Sequence, residues 1–188
     1  MKLILTRHGE TNENKKGILQ GQKIGTLSKK GIRQAKKLAI RLKGKKIDAV
    51  YSSDLARAKN TAKEILVFHS KTPLHLSKNL RELDLGKYAG KKGSAIDWAN
   101  RPKSIETRAE IAKRVKKVLD KAYTAYPNGT VLFVGHIGAN KSIVRVLFGN
   151  PPKGTTRKIP PNASISVFEL VEGEKTIRNL KNCTKHLD

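Results

Sequence analysis

Three short apolar segments, each followed by a basic or imidazole side chain, constrain the fold of this chain most strongly. They are residues 3–6, 47–52 and 130–134. Runs rich in aliphatic and β-branched residues are typical of strands buried in a parallel sheet. Arg7 and His8 follow the first segment, Arg57 lies one turn into the helix predicted after the second, and His136 follows the third. Because the carboxyl ends of parallel strands meet at one edge of a sheet, we expect these side chains to lie together.

Helical periodicity separates the three segments. Ser28 is predicted to cap a helix that ends at Gly44, and Asp54 is predicted to cap the next helix. The longest apolar stripe at helical spacing covers residues 104–126, and a further helix is predicted for residues 138–148. Strands and helices therefore alternate through most of the chain.

This alternation predicts the α/β class, with a three-layer α/β/α sandwich around a mostly parallel central sheet. Residues 163–169 and 176–180 are predicted to form a closing hairpin around Gly173, and only these last strands should break the parallel pattern. A length of 188 residues suits a single domain spanning residues 1–188.

The charge of the chain is strongly positive. Forty Lys and Arg residues oppose 15 Asp and Glu residues, which gives a formal charge of +25. Such a surface attracts polyanions. The lysines are dispersed along the chain, however, and no run alternates them with aromatic residues as a single-strand binding surface would. We interpret most of them as a solvated surface, do not expect nucleic acid as a functional partner, and keep polyanion binding as an alternative.

A single cysteine, Cys183, excludes an intrachain disulfide and a cysteine-rich zinc site. The N-terminal apolar run is too short for a signal-peptide core or a membrane span. We therefore expect a soluble, cytoplasmic protein with no membrane partner. The sequence does not distinguish a monomer from a homodimer.

The cluster after the first segment has chemistry suited to an anion. Arg7 offers a planar fork of donors for a phosphate or carboxylate. His8 can act as a base, nucleophile or ligand near neutral pH, and Gly9 lets the backbone approach a bound group closely. A lone Arg-His-Gly triplet also occurs on ordinary surfaces, so the remaining motifs decide its meaning.

Five ordered blocks of sequence carry a resemblance to a known family. They are RHGET at 7–11 with Asn14, LQG and LSKKG between 19 and 31, SSDLARAKNTA at 52–62, LRELDLGKYAG at 80–90, and VGHIG at 134–138. In this order they resemble the histidine phosphatase superfamily, in the branch that contains cofactor-dependent phosphoglycerate mutases and their phosphatase relatives. The resemblance extends almost from end to end.

The resemblance implies a phosphoryl transfer in which the imidazole of His8 attacks phosphorus and carries the phosphoryl group. Glu82 occupies the family's proton-donor position, with Asp84 as the fallback acid. The implied phosphate-binding residues are Arg7, Asn14, Arg57 and His136. The implied substrate-binding residues are Gly9, Gln20, Gly21, Tyr88 and Ile137. No metal and no cofactor are implied.

We therefore predict a phosphatase that hydrolyses small phosphomonoesters, a phosphoric monoester hydrolase. A phosphoglycerate mutase on the same scaffold is the alternative. True mutases carry a longer, Arg-containing insertion where this chain has only residues 91–103 between Gly90 and Ser104, and this difference favours hydrolysis. Ile137 replaces a second glycine that is usual in relatives, so the substrate preference of any one relative does not transfer.

Overall fold

The computed structural model of the chain describes residues 1–150, 159–171, 173 and 176–188. The strands of the described residues are β1 Lys2–Arg7, β2 Ala49–Ser53, β3 Leu74–Ser77, β4 Thr130–Gly135, β5 Ile165–Glu169 and β6 Ile177–Cys183. The helices are α1 Asn12–Lys15, α2 Lys29–Leu42, α3 Ala56–Leu66, α4 Arg108–Ala125 and α5 Ile137–Phe148. Short 3₁₀ turns occupy Lys78–Leu80, Gly86–Tyr88 and Gly93–Ala95. Within the described residues, no helix is long and apolar enough to cross a bilayer.

The strands form one sheet in the order β3-β2-β4-β1-β5-β6. β3, β2, β4 and β1 pair in parallel. β5 runs antiparallel to β1, and β6 runs antiparallel to β5. The mostly parallel sheet and its closing antiparallel pair are therefore confirmed.

The side chains of the central strands alternate between two apolar cores. Leu3 and Leu5 point to one face and pack with α4 and α5, whereas Ile4 points to the other face and packs with α2 and α3. On β4, Phe133 packs in the core with α4 and α5, and Leu132 packs in the core with α2 and α3. Because both faces of the sheet are covered by helices, the strands read as continuous apolar runs. The predicted three-layer sandwich is confirmed.

Helix starts agree only in part with the predicted caps. Ser28 caps α2, and its Oγ accepts a hydrogen bond of 3.0 Å from the Gly31 N–H. The cap predicted at Asp54 is wrong, because its carboxylate accepts hydrogen bonds from Nε and Nη2 of Arg81 and Leu55 takes the cap position. Such a bidentate charged pair is stronger than a single bond to a helix N–H.

The start of α4 also differs from the prediction. The helix begins at Arg108 instead of Ser104, because Thr107 and Glu110 form a reciprocal capping box. The Thr107 Oγ1 accepts from the Glu110 N–H at 3.1 Å, and the Glu110 carboxylate accepts from the Thr107 N–H at 2.6 Å. Two N–H groups that lack helical partners are thereby satisfied.

The loop after β1 lies very close to the start of α2. A Cβ atom added to Gly9 would meet the Gly31 carbonyl oxygen, and one added to Gly31 would meet the Glu10 carbonyl oxygen. The Ser28 hydroxyl also donates to Glu10 Oε1 at 2.8 Å. Two glycines thus allow α2 to fix the backbone that carries His8.

We expect Gly31→Ala to lower the free energy of unfolding by about 1–3 kcal/mol, as overpacking typically does. The added methyl group must displace the Glu10 backbone, and this cost exceeds the gain of about 1 kcal/mol in helix propensity. Urea denaturation measures the difference. Gly44→Ala is the control, because nothing lies within 4 Å of its added Cβ position. An equal effect of the two substitutions would contradict the close-approach explanation.

Candidate active site

The parallel register of β1 with β4 brings the two predicted histidines together. Arg7 pairs with Gly135, and the His8 N–H donates to the Gly135 carbonyl at 3.0 Å. The residues that follow the two strands therefore lie side by side, and the ring centroids of His8 and His136 are 5.1 Å apart. The predicted cluster at the carboxyl edge of the sheet is present.

His8 is held as a neutral imidazole with a defined tautomer. Its Nδ1 lies 2.7 Å from the Gly9 carbonyl oxygen, which can only accept, so Nδ1 carries the proton. Nε2 is then the nitrogen with the lone pair. Burial holds the pKa of His8 well below its usual value, and the positive charges of Arg7 and Arg57 lower the pKa further.

Arg7 and Arg57 are buried guanidinium groups fixed by backbone carbonyls. Arg7 Nη1 donates to the Pro160 carbonyl at 2.9 Å, and Arg57 Nη2 donates to the Gly21 carbonyl at 2.7 Å. Burial lowers the pKa of each to about 10, while the Glu82 carboxylate opposes that shift. Both therefore stay charged at neutral pH. Within the described residues, the Nε of each has no hydrogen-bond partner.

His136 is fully buried beside these groups, and neither of its ring nitrogens has a hydrogen-bond partner within the described residues. Burial holds the pKa of His136 well below its usual value, and electrostatic repulsion from His8, Arg57 and Arg7 lowers the pKa further. A buried polar atom without a partner costs about 1–3 kcal/mol, so such atoms concentrate where a ligand completes them. Together with the two arginine Nε atoms, His136 makes the pocket around His8 suited to an anion.

Asn14 is positioned by a capping box. It is the third residue of α1, and its Oδ1 accepts from the Thr11 N–H at 3.2 Å and from Asn162 Nδ2 at 3.3 Å. The amide nitrogen of Asn14 is the part of the side chain suited to donate to a substrate. Asn162 also donates to the His8 carbonyl at 3.0 Å, a contact that sequence reasoning missed.

Glu82 is anchored through one of its two carboxylate oxygens. Oε1 accepts from the Leu83 N–H at 2.8 Å and from the Gly138 N–H at 2.7 Å. Gly138 lies in the first turn of α5, where backbone N–H groups lack helical partners. Both bonds fix the carboxyl group at the wall of the cleft that contains His8.

Arg114, which the sequence did not single out, holds the segment that carries Glu82. Its guanidinium forms two bonds to the Glu106 carboxylate, of 2.6 and 2.8 Å. The remaining donors reach the carbonyls of Asn79, Arg81 and Glu82 at 2.7–3.0 Å. Arg114 lies among lysines on α4. The only signal in the sequence is that this position is Arg instead of Lys, since the planar guanidinium group can bind a carboxylate through two hydrogen bonds.

The predicted substrate-binding residues divide into two groups. Gln20, Gly21 and Ile137 line the cleft, whose volume is about 1210 Å³. Gly9 and Tyr88 are not among its lining residues. The Gly9 N–H donates to the Thr61 hydroxyl at 3.1 Å, and Tyr88 packs against a small apolar cluster that includes Leu85. Substrate-binding roles for these five residues stay predictions.

Comparisons with known proteins show which proteins the chain is similar to. The chain is 32% identical to phosphoserine phosphatase 1 of Hydrogenobacter thermophilus, over 100% of the chain and 94% of that protein. It is 29% identical to phosphoglycerate mutase-like protein 4 of Arabidopsis thaliana, over 99% of the chain and 86% of that protein. The structure of Bacillus stearothermophilus YhfR superposes with a TM-score of 0.90 at 25% identity, and the match covers 100% of this chain and 99% of that one.

The family model described as histidine phosphatase superfamily (branch 1) matches residues 3–183. That range contains both buried histidines, both buried arginines and the anchored glutamate. The chain therefore belongs to the histidine phosphatase superfamily.

Proposed function

We propose that this protein is a phosphatase that hydrolyses small phosphomonoesters through a phosphohistidine on His8, with residues 1–188 as one catalytic domain. The observation that carries the proposal is the orientation of the His8 ring, whose Nδ1 lies 2.7 Å from the Gly9 carbonyl oxygen. Its Nδ1 is committed to the Gly9 carbonyl, so Nε2 offers its lone pair among cationic groups. A neutral, oriented imidazole is the competent form of a histidine nucleophile.

In the first step His8 Nε2 attacks phosphorus, and the bond between phosphorus and the ester oxygen breaks. Negative charge on the three equatorial oxygens is stabilised by Arg7, Arg57 and His136. The bound dianion favours the protonated form of His136, which then donates to a phosphate oxygen. Asn14 adds a neutral donor.

Glu82 completes the proton balance. As the acid it gives a proton to the departing ester oxygen, and the alcohol leaves. The resulting carboxylate then takes a proton from a water molecule as that water attacks the phosphohistidine. Inorganic phosphate forms, and both His8 and Glu82 return to their starting states.

Hydrolysis is supported over mutase chemistry by the openness of the site. A mutase must keep water away from its phosphoryl intermediate until the acceptor returns. Here the cleft volume is about 1210 Å³, and the Trp98 side chain at its wall is 50% exposed. The short stretch between Gly90 and α4 supplies one 3₁₀ turn and no long helix as a cover.

We expect His8→Ala to abolish phosphate release from an aryl phosphate. A wild-type reaction stopped in alkali should retain an acid-labile phosphoryl group on His8, measured by mass spectrometry. His69→Ala, which alters a histidine outside the cleft lining, is the matched control and should keep activity. Turnover retained by His8→Ala would exclude the phosphohistidine route.

We expect Glu82→Gln to lower kcat for an alkyl phosphate by about 10²–10⁴-fold, as loss of a general acid does. The loss should be much smaller for an aryl phosphate, because a phenolate leaves without a proton. Steady-state kinetics on both esters measure the contrast. Asp84→Asn is the control, and a leaving-group-dependent loss there instead would assign the proton to Asp84.

We expect stability to fall as the pH drops below about 6.5, the ordinary pKa of histidine. The pKa values of His8 and His136 are lowered in the folded state, so the unfolded chain binds more protons in this range. Urea denaturation between pH 7.5 and 5.5 should show a smaller pH slope in His8→Asn/His136→Asn than in wild type. A steeper slope in the double variant would contradict neutral imidazoles.

A further inference from the structure

Asn162 lies beside His8 because β5 pairs with β1 in antiparallel register. Thr6, the residue before the end of β1, pairs with Ile165, the first residue of β5. The two strands run in opposite directions, so the residues that precede β5 lie beside the residues that follow β1. This register brings the turn at 161–164 to the edge of the sheet that carries His8.

A tight turn holds the Asn162 side chain in place. The Ser164 N–H donates to the Pro161 carbonyl at 3.2 Å, so Asn162 and Ala163 are the two central residues of the turn. Ala163 has a φ of 55°, a left-handed value that is uncommon outside glycine. Its N–H donates to the Arg7 carbonyl at 2.9 Å, and this bond ties the turn to the end of β1.

The amide nitrogen of Asn162 bridges two acceptors. Nδ2 lies 3.0 Å from the His8 carbonyl oxygen and 3.3 Å from Asn14 Oδ1. Asn14 Oδ1 already accepts from the Thr11 N–H at 3.2 Å, so this end of the Asn14 amide is an oxygen. Both acceptors require a donor, and an NH₂ group supplies one N–H to each. The partners therefore fix the orientation of the Asn162 amide.

This bridge fixes the peptide unit of His8. The His8 N–H donates to the Gly135 carbonyl at 3.0 Å, and the His8 carbonyl accepts from Asn162 Nδ2 at 3.0 Å. The backbone of the proposed nucleophile is therefore held from two sides, by the end of β4 and by the turn that precedes β5.

The same bridge determines which end of the Asn14 amide is left for a ligand. Asn14 lines the cleft, whereas Asn162 does not. The oxygen of Asn14 is engaged by two donors, from Thr11 and from Asn162. Its nitrogen is then the end that remains for a bound phosphate. The reverse orientation would place an amide oxygen, which only accepts, against an anion that also only accepts.

We propose that Asn162 is a positioning residue for phosphoryl transfer, which keeps the Asn14 nitrogen available to the phosphate and fixes the backbone of His8. The inference rests on the proposed phosphatase function, in which Asn14 donates to the phosphoryl group. Asn162 acts through these two residues, because it does not line the cleft itself.

The first test measures calorimetric binding of inorganic phosphate, which requires no turnover. We expect Asn162→Asp to weaken this binding by about tenfold or more, the size of one charge-assisted hydrogen bond. The carboxylate only accepts, so the Asn14 amide must turn its nitrogen towards it and its oxygen towards the phosphate.

Asn12→Asp is the matched control. It adds the same charge at an exposed position of α1, two residues before Asn14 and outside the cleft lining. We expect it to change phosphate affinity by less than about twofold, because solvent and salt screen an exposed charge. Equal weakening by Asn12→Asp and Asn162→Asp would overturn the proposal, because the added charge alone would then explain the loss.

A double-mutant cycle separates positioning from a merely structural role, and it does not depend on the folding of Asn162→Asp. It combines Asn162→Ala with Asn14→Ala and measures phosphate affinity and kcat/KM. We expect Asn162→Ala to weaken phosphate binding by about fivefold in the wild-type background, as the loss of one hydrogen bond does. In the Asn14→Ala background this effect should largely disappear, because the two residues act together. Additive effects on phosphate affinity would overturn the proposal.

Steady-state kinetics supply a second signature. We expect Asn162→Ala to lower kcat/KM by the same factor for an alkyl and an aryl phosphate, because it acts on the phosphoryl group, which both esters share. Glu82→Gln, in contrast, acts on the leaving group. A loss confined to the alkyl ester would overturn the positioning role, because it would assign Asn162 to proton transfer.

The remaining outcomes separate this inference from the phosphatase function. Phosphate release and phosphate binding that the Asn162 variants leave unchanged overturn the positioning role and leave the phosphatase standing. Coupled loss of phosphate binding in a protein that hydrolyses no ester supports the positioning role and contradicts the phosphatase function. A wild-type protein that neither binds nor releases phosphate overturns both.

Discussion

The in-register parallel pairing of β1 with β4 is the constraint on which the rest of the site depends. It places Arg7 opposite Gly135, so the chain segments that leave both strands emerge together and the two histidine rings become neighbours. The pairing is enforced by apolar residues such as Leu132 and Phe133, which fill a core on each face of the sheet. A slip by one residue would exchange these faces, so burial also fixes the position of the reactive groups.

Burial then determines the charge states at that edge. The pKa values of Arg7 and Arg57 fall only to about 10, so both guanidinium groups stay charged. The imidazoles of His8 and His136 are neutral instead. Burial lowers their pKa values, which ordinarily lie near neutrality, and the adjacent arginines oppose a further positive charge. The result is a neutral imidazole, the proposed nucleophile, inside a positive pocket. Phosphoryl transfer to nitrogen needs both properties in the same place.

Long-range contacts position the remaining groups. Arg114 on α4 holds the carbonyl of Glu82, while the N–H of Gly138 on α5 holds its carboxylate. Asn162 reaches back to the carbonyl of His8 from more than 150 residues away in the chain. The local sequence pattern predicted that the Asp54 carboxylate caps a helix, but this carboxylate binds Arg81 instead. Local sequence rules missed these contacts because each partner lies far along the chain.

Sequence patterns alone predicted a mostly parallel sheet, its closing antiparallel pair and the edge at which the candidate catalytic side chains gather. These features follow from apolar periodicity and from ordered motifs that are continuous in the chain, including the Ser28 cap. The anchoring of Glu82 by the Gly138 N–H and the contact of Asn162 with the His8 carbonyl are visible only in the folded chain. Those depend on which distant groups meet in three dimensions, and the spacing of residues along a chain does not contain that information.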